Sequence, residues 1–299
     1  MRRALATIAL VAAAVAAALG QQVTLPRLEG SVKMAVIGDS GTGGSRQRQL
    51  GQVLAAAHQQ FPFEFAIMLG DNIYGSDRPQ DYVRKFETPY RPLLDADVKF
   101  YAALGNHDDR TQVNYKLFNM DGKRYYTHSH GNVEFFVLDS TYVDPVQLAW
   151  LEQELARSDA RWKIAYFHHP LYSSGARHGS EIDLRELVEP LFVKHGVDVV
   201  FSGHEHFYER MNPQQGVYYF TSGAAGKLRR GNIRRSTLTA AGFDQDLSFI
   251  LVEFTDEQLH FQAISRTGTT VDGGSLPRPP DPAERTETQP AELEPVNSR

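Results

Sequence analysis

Six short runs in this chain are continuously apolar rather than alternating: SVKMAVIGD (31–39), FEFAIMLGD (63–71), VKFYAALGNHD (98–108), VEFFVLDS (133–140), RWKIAYFHH (161–169) and VDVVFSGHEH (197–206). A strand reads that way when both of its faces are buried. Helical patterning fills gaps between them, over Ser45 to Gln60, Pro145 to Ser158 and Ile182 to His195. In the second of these, Leu148, Leu151 and Leu155 recur at helical spacing beside Trp150. Strand–helix–strand alternation restricts the chain to an α/β fold with parallel pairing and right-handed crossovers. Past residue 206 the pattern changes. VYYFTSG (217–223), SFILVEF (248–254) and QLHFQAI (258–264) follow without helical stretches, and Thr255-Asp256-Glu257 makes a turn between the last two. A mixed sheet, or two packed sheets with helices outside, accommodates both halves. There is no internal repeat.

Five of the apolar runs end alike, in a residue able to bind metal and usually after glycine: Asp39, Asp71, Asn106-His107, His168-His169, and His204 with His206. Open α/β sheets bind ligands at the carboxyl ends of strands, and glycine there permits close approach of the backbone. One Gly-Asp after a strand is an ordinary turn. Five such endings, expected here on one edge of one sheet, mark a site. Carboxylate and imidazole are ligands for Zn, Fe and Mn, and a bridging carboxylate holds two ions roughly 4 Å apart. Such a pair activates water and clamps the oxygens of a phosphoryl group during in-line displacement.

His-x-His spacing alone does not define that site. THSHGN (127–132) repeats the spacing of GHEH, but His128 and His130 precede Gly131-Asn132 and lead into the run at 133–140. That context predicts a hairpin and a structural role. His58, His195 and His260 also read as structural. Glu205 alternates away from its flanking histidines. Tyr208, Glu209 and Arg210 fit either a pocket wall or the start of a strand.

The ends of the chain differ from its middle. Residues 1–20 carry Arg2 and Arg3, an apolar run from Ala4 to Leu19 and a small-residue ending, which predicts a cleaved signal peptide rather than a membrane anchor. Secretion, to a periplasmic or extracellular location, follows. Residues 268–299 are rich in Pro, Glu and Thr without apolar periodicity, predicting a disordered tail and a folded unit over 30–267. The net charge of −5 and pI of about 6.1 argue against a nucleic-acid partner. The complete lack of cysteine removes thiolate metal sites and cysteine nucleophiles. Nothing in the sequence sets the oligomeric state.

GDSG (38–41), GDNIY (70–74), GNHD (105–108), the His-x-Pro of FHHP (167–170) and GHEH (203–206) together resemble the five ordered motifs of the calcineurin-like metallophosphoesterases. The tyrosine of GDNIY makes the chain similar to the purple acid phosphatases, of the small single-domain type. The resemblance implies an α/β metallophosphoesterase fold: a β-sandwich of two mixed sheets flanked by helices, with a βαβαβ core. It implies an Fe(III) site from Asp39, Asp71, Tyr74 and His206. A divalent site (Fe, Zn or Mn) would share Asp71 and use Asn106, His168 and His204. A phenolate from Tyr74 would favour Fe(III) and colour the protein, and a metal-bound hydroxide would attack phosphorus. His107 would stabilise charge or donate a proton, Asp108 would orient His107, and His178 would be a second pocket histidine. The spacing to Pro170 selects His168 over His169, which strand alternation turns the other way.

The implied activity is acid hydrolysis of small phosphate monoesters. A phosphodiesterase of the same superfamily is the alternative. Gly38-Asp39-Ser40 also suits an SGNH-type serine esterase with Ser40 as nucleophile, but the chain has no Asp-x-x-His to supply its base.

Overall fold

The computed structural model describes residues 22–282. The signal-like segment 1–20 and the tail beyond residue 282 lie outside the described residues. In chain order the first half contains β1 (Val32–Ile37), α1 (Ser45–Gln60), β2 (Phe65–Met68), α2 (Pro79–Tyr82), a π-helical turn (Val83–Glu87), α3 (Thr88–Leu94), β3 (Lys99–Ala102), β4 (Tyr126–His130) and β5 (Val133–Val137). There follow α4 (Pro145–Arg157), β6 (Trp162–Phe167), α5 (Ile182–His195), β7 (Val199–Ser202), β8 (Tyr208–Met211), β9 (Tyr218–Ser222), β10 (Thr239–Phe243), β11 (Ser248–Phe254), β12 (Gln258–Ser265) and β13 (Thr270–Pro277).

The strands form two mixed sheets, ordered β13-β12-β11-β1-β2-β3 and β10-β8-β9-β7-β6-β5-β4. Parallel pairing runs through β1–β2–β3 in the first and through β5–β6–β7–β9 in the second. The strands expected to share one edge of one sheet therefore divide between two. Their patterning reports burial on both faces, which a sandwich core and a helical cover supply as well as a single doubly covered sheet does. Aromatic rings fill the space between the sheets: Phe65 against Phe135 at 5.5 Å, Trp162 against Phe254 at 5.2 Å and Phe220 against Phe261 at 5.1 Å between ring centres. A second core layer joins Phe136, Ala165, Phe167 and Val200 to Leu151, Leu155, Val188 and Phe192 of the helices outside the seven-stranded sheet.

Local chemistry sets the helix ends. The Asp144 side chain accepts the Gln147 amide at 2.8 Å ahead of Pro145, and Gly196 closes α5 at φ 73°. Helical structure also occupies much of 79–94, a region outside the three helical stretches read from the sequence. Buried Tyr82, Phe86, Tyr90 and Leu93 recur at helical spacing there.

Two boundaries need correction. The tail does not begin at 268, because β13 pairs with β12 over 270–277. Its side chains are poor in apolar groups, yet Asp272 is held by Tyr208 Oη at 2.7 Å and Arg210 Nε at 2.8 Å. At the other end Val23 and Leu25 are core residues, and Glu253 accepts the Arg27 and Leu28 amides, so the folded unit starts before residue 30.

His128 and His130 lie on β4 of the β4–β5 hairpin. The His130 ring stacks on Phe65 at 3.7 Å, while His128 stacks on Tyr101 at 4.1 Å and meets Tyr166 Oη at 3.1 Å. Both are packing residues of the inter-sheet layer.

Candidate metal centre

Asp39, Asp71 and Asn106 follow β1, β2 and β3 of one sheet, while His168, His204 and His206 follow β6 and β7 of the other. The site is the seam where the carboxyl ends of the two sheets face each other. Asp39, Asp71 and His204 hold left-handed backbone conformations, with φ of 54°, 51° and 67°. Non-glycine residues adopt that region at some energetic expense, and Asp and His are among those that tolerate it. A glycine is sterically required at 105, where a Cβ would lie 2.3 Å from both the amide nitrogen and Oδ1 of Asp71.

The side chains fall into two groups. In one, Asp39 Oδ1 is 3.1 Å from Tyr74 Oη and 3.3 Å from His206 Nε2, and the latter two atoms are 3.3 Å apart. In the other, His168 Nε2 is 2.9 Å from Asn106 Oδ1 and 3.2 Å from His204 Nδ1. Asp71 touches the second group through His168 Nε2 at 3.5 Å, and its charge bears on Tyr74 of the first.

The donor set fits cations. His168 Nδ1 faces the Leu69 carbonyl, an acceptor, at 2.8 Å, which fixes the ring with Nε2 turned toward Asn106 Oδ1 and Asp71 Oδ1. One imidazole nitrogen and two oxygens, ligand types for first-row metals, thus converge on one point. Burial, followed by the charges of neighbouring histidines, pushes His204 down to about 2. Burial and the Arg229 charge push His206 down to about 4, so both imidazoles are unprotonated near neutrality. Burial raises Asp39 above the usual carboxylate range. At Asp71 burial acts in the same sense, but the His168 charge and the His107 amide outweigh it and hold the carboxyl low. Burial and the two carboxylates raise the Tyr74 phenol strongly, so that its ionisation calls for a compensating cation.

The other expected residues are placed as follows. His107 is exposed above the centre, with its amide on Asp71 Oδ1 at 2.9 Å and its ring 5.2 Å from that of Tyr74. Asp108 does not hold the His107 ring. Its carboxylate turns inward and accepts the amides of Asn72, Ile73 and Gly105 and the Asn72 side chain, at 2.9–3.1 Å. Burial and the Asp71 charge raise Asp108 to about 7. The chain turns at 107, so successive side chains point to different sides of the loop. His178 is exposed with its ring 4.3 Å from that of His204.

His169 also departs from expectation. Its ring lies 4.5 Å from that of His204, and His168, His169 and His204 each bring a ligand-type nitrogen within 4.8 Å of the others. Alternation fails because β6 ends at Phe167, and beyond it Ser140 Oγ fixes both residues by accepting their amides at 3.2 and 3.1 Å. Tyr208 and Arg210 bind Asp272, whereas Glu209 accepts the Ser174 amide at 3.0 Å, so these three join elements rather than line the centre.

Glu205 does more than face away from the histidines. It is fully buried and accepts the Gly179 amide at 2.9 Å, the His178 amide at 3.3 Å and Asn232 Nδ2 at 3.0 Å. A carboxylate between two histidines, followed by the glycine- and arginine-rich stretch 223–235, is the available signal for that role.

Residues 32–208 match the family described as calcineurin-like phosphoesterase. The chain is similar to purple acid phosphatase 17 of Arabidopsis thaliana, at 29% identity over 70% of this chain and 73% of that protein. It is also similar to tartrate-resistant acid phosphatase type 5 of Rattus norvegicus, at 23% identity over 80% of this chain and 86% of that one. Among solved structures, purple acid phosphatase PPD1 from yellow lupin (Lupinus luteus) seeds superposes with a TM-score of 0.73 at 17% identity. That match spans 92% of this chain and 58% of the lupin chain. GAP50, titled the anchor in the inner membrane complex of Plasmodium, gives a TM-score of 0.69 at 17% identity over 90% and 98% of the two chains, so the fold is not confined to structures titled as enzymes.

Proposed function

The chain belongs to the calcineurin-like phosphoesterase family and is a metal-dependent phosphoester hydrolase, and from that premise we propose that it is an acid phosphatase acting on small phosphate monoesters. The observation that carries this reading is the meeting of the two side-chain groups through Asp71. Asp39, Tyr74 and His206 would hold one cation, Fe(III) by the nature of the phenolate ligand. Asn106, His168 and His204 would hold a divalent Fe, Zn or Mn, with Asp71 shared. When bound, two such cations supply an activated water and neutralise the phosphoryl oxygens.

The protein's own groups do the rest. The amide of His107 holds the Asp71 carboxylate, which frees the exposed imidazole to meet the phosphoryl group or give a proton to the departing oxygen. Asp108 rigidifies the loop beneath it through four donors. His178 faces the same space from the opposite loop. Partial desolvation and the Arg229 and Arg177 charges lower it from the ordinary imidazole range. A location outside the cytoplasm rests on residues 1–20. Among the described residues no helix is long and apolar enough to cross a membrane.

The test is to purify the mature protein, determine its metals, record its visible spectrum and compare p-nitrophenyl phosphate with its bis ester. Two metals per chain, a visible band and preference for the monoester are expected. Preference for the bis ester would transfer the reading to a phosphodiesterase. A colourless, metal-free protein whose activity depends on Ser40 would overturn it.

A further inference from the structure

The segment 224–236, between β9 and β10, carries Lys227, Arg229, Arg230, Arg234 and Arg235 and no acidic residue, in a chain of net charge −5. It is pinned to the metal centre by its backbone. The Lys227 amide donates to the Asp39 carbonyl at 3.1 Å, and the Arg229 amide to the His206 carbonyl at 3.0 Å. The facing loop, which carries Arg177 and His178, is tied to it by Ala176 N–H to the Asn232 carbonyl and Arg234 N–H to the Ser174 carbonyl, both 2.8 Å. Buried Glu205 clamps the two loops from below, through Asn232 on one side and Gly179 on the other. The result is one wall built from two loops.

The charges on this wall lie beside the centre and are left largely uncompensated. Lys227 Nζ is 4.4 Å from the middle of the Tyr74 ring. The Arg229 guanidinium stands 3.8 Å from Glu205, beyond hydrogen-bond reach, and its Nη1 is buried without a hydrogen-bond partner. Arg177 is near enough for its charge to act on Arg229. Among the described residues Arg177, Lys227 and Arg230 form no ion pair, whereas Arg124, Arg210 and Arg266 all bind carboxylates. Weakly compensated cations on a fixed backbone suit an anion, because a charge-assisted hydrogen bond satisfies guanidinium and phosphate or carboxylate together.

We propose that Arg177, Lys227 and Arg229 form a second anion subsite at the rim of the metal centre. The preferred substrates are then small molecules that carry a second phosphate besides the one removed. This rests on the phosphatase reading above and adds a substrate class to it. The wall is one side chain away from the ligands, a reach that favours a second group on the same small molecule.

The metal-loaded, full-length protein is assayed for phosphate release from a sugar monophosphate and from the bisphosphate of the same sugar. The expected kcat/KM ratio favours the bisphosphate by about tenfold. It should fall toward one in Arg177→Ala/Lys227→Ala, while Arg234→Ala, whose guanidinium is bonded to the Gly231 carbonyl, should keep it. A wild-type ratio near one, or a ratio that the double variant retains, would sink the subsite. Calorimetric titration with methylenediphosphonate, the non-hydrolysable analogue of diphosphate, and with orthophosphate tests the same site without turnover. Tighter binding of the diphosphonate that is lost in the double variant supports the subsite, and indifference to the variant rejects it. If that binding difference persists while neither sugar phosphate is cleaved, the phosphatase reading fails and the subsite stands.

Discussion

The Glu205 carboxylate accepts the Gly179 amide at 2.9 Å, joining positions separated by 26 in sequence. This bond locks the strand end bearing His204 and His206 to the loop bearing His178. The residue between the two histidines is thus the support for a pocket wall. It takes a third donor from Asn232, so removing it leaves several buried donors without partners.

Glu205→Ala is expected to destabilise the protein by about 1–3 kcal/mol, the consequence of stranding buried donors. That lowers Tm by several degrees, roughly 2–4 °C per kcal/mol for a chain of this size. Glu205→Gln keeps an acceptor and should fall between the two. Metal content should be retained while kcat/KM drops, because the ligands stay and the loop moves. Scanning calorimetry and metal analysis of the two variants check this, and an unchanged Tm in the alanine variant would contradict the clamp.

Gly105→Ala places a Cβ 2.3 Å from the Asp71 amide nitrogen and carboxylate oxygen. Backbone cannot yield there without moving Asp71. Metal-to-protein ratio should fall, and activity should drop by about a hundredfold, as expected for displacement of a reacting group by ~1 Å. Full occupancy and normal turnover in this variant would show that Asp71 is not a ligand.

Tyr74→Phe removes the one phenol of the centre while Asp39 and His206 remain within 3.3 Å of each other. The visible band should disappear with metals still present. Chelation of the wild-type protein should abolish activity and lower Tm, since a ligand that binds only the folded state stabilises it. A band that survives the substitution would assign the colour to another ligand.

His128 gives a pH prediction remote from the centre. Burial, followed by the nearby His130, lowers its folded value well below 6.5. The unfolded chain therefore binds this proton more readily than the folded one. The stability associated with neutral His128 is complete above pH 6.5 and is lost progressively as pH falls below it. The same sign holds for partly buried His130. His128→Phe should flatten the decline in Tm between pH 7 and 5, measured by thermal melts across that range. An unaltered slope would mean that the buried imidazole is not a source of acid lability.

Much of the fold and centre was legible along the chain. The helices at 45–60 and 182–195 have the boundaries their periodicity implies, because the pattern of burial along one helix is a local record of what covers it. The residues that close the apolar runs, from Asp39 to His206, do come together, since a strand's end is marked by the loss of apolar side chains. The hairpin at Gly131-Asn132 was equally visible. It separated His128 and His130 from the other His-x-His pair.

Tertiary structure alone decided the remainder. Apolar runs state that a strand is buried without naming its neighbour, so the division of β1–β3 and β5–β7 between two sheets required the pairing itself. His169 and Asp108 lie past the ends of regular strands, where no period dictates direction, and Ser140 and Asn72 choose it for them. β13 is held by Tyr208 and Arg210 through Asp272, contacts across more than sixty positions that a polar, proline-rich stretch does not announce. A chain carries its own periodicities, whereas the partner of a buried polar side chain is known only once distant segments are brought together.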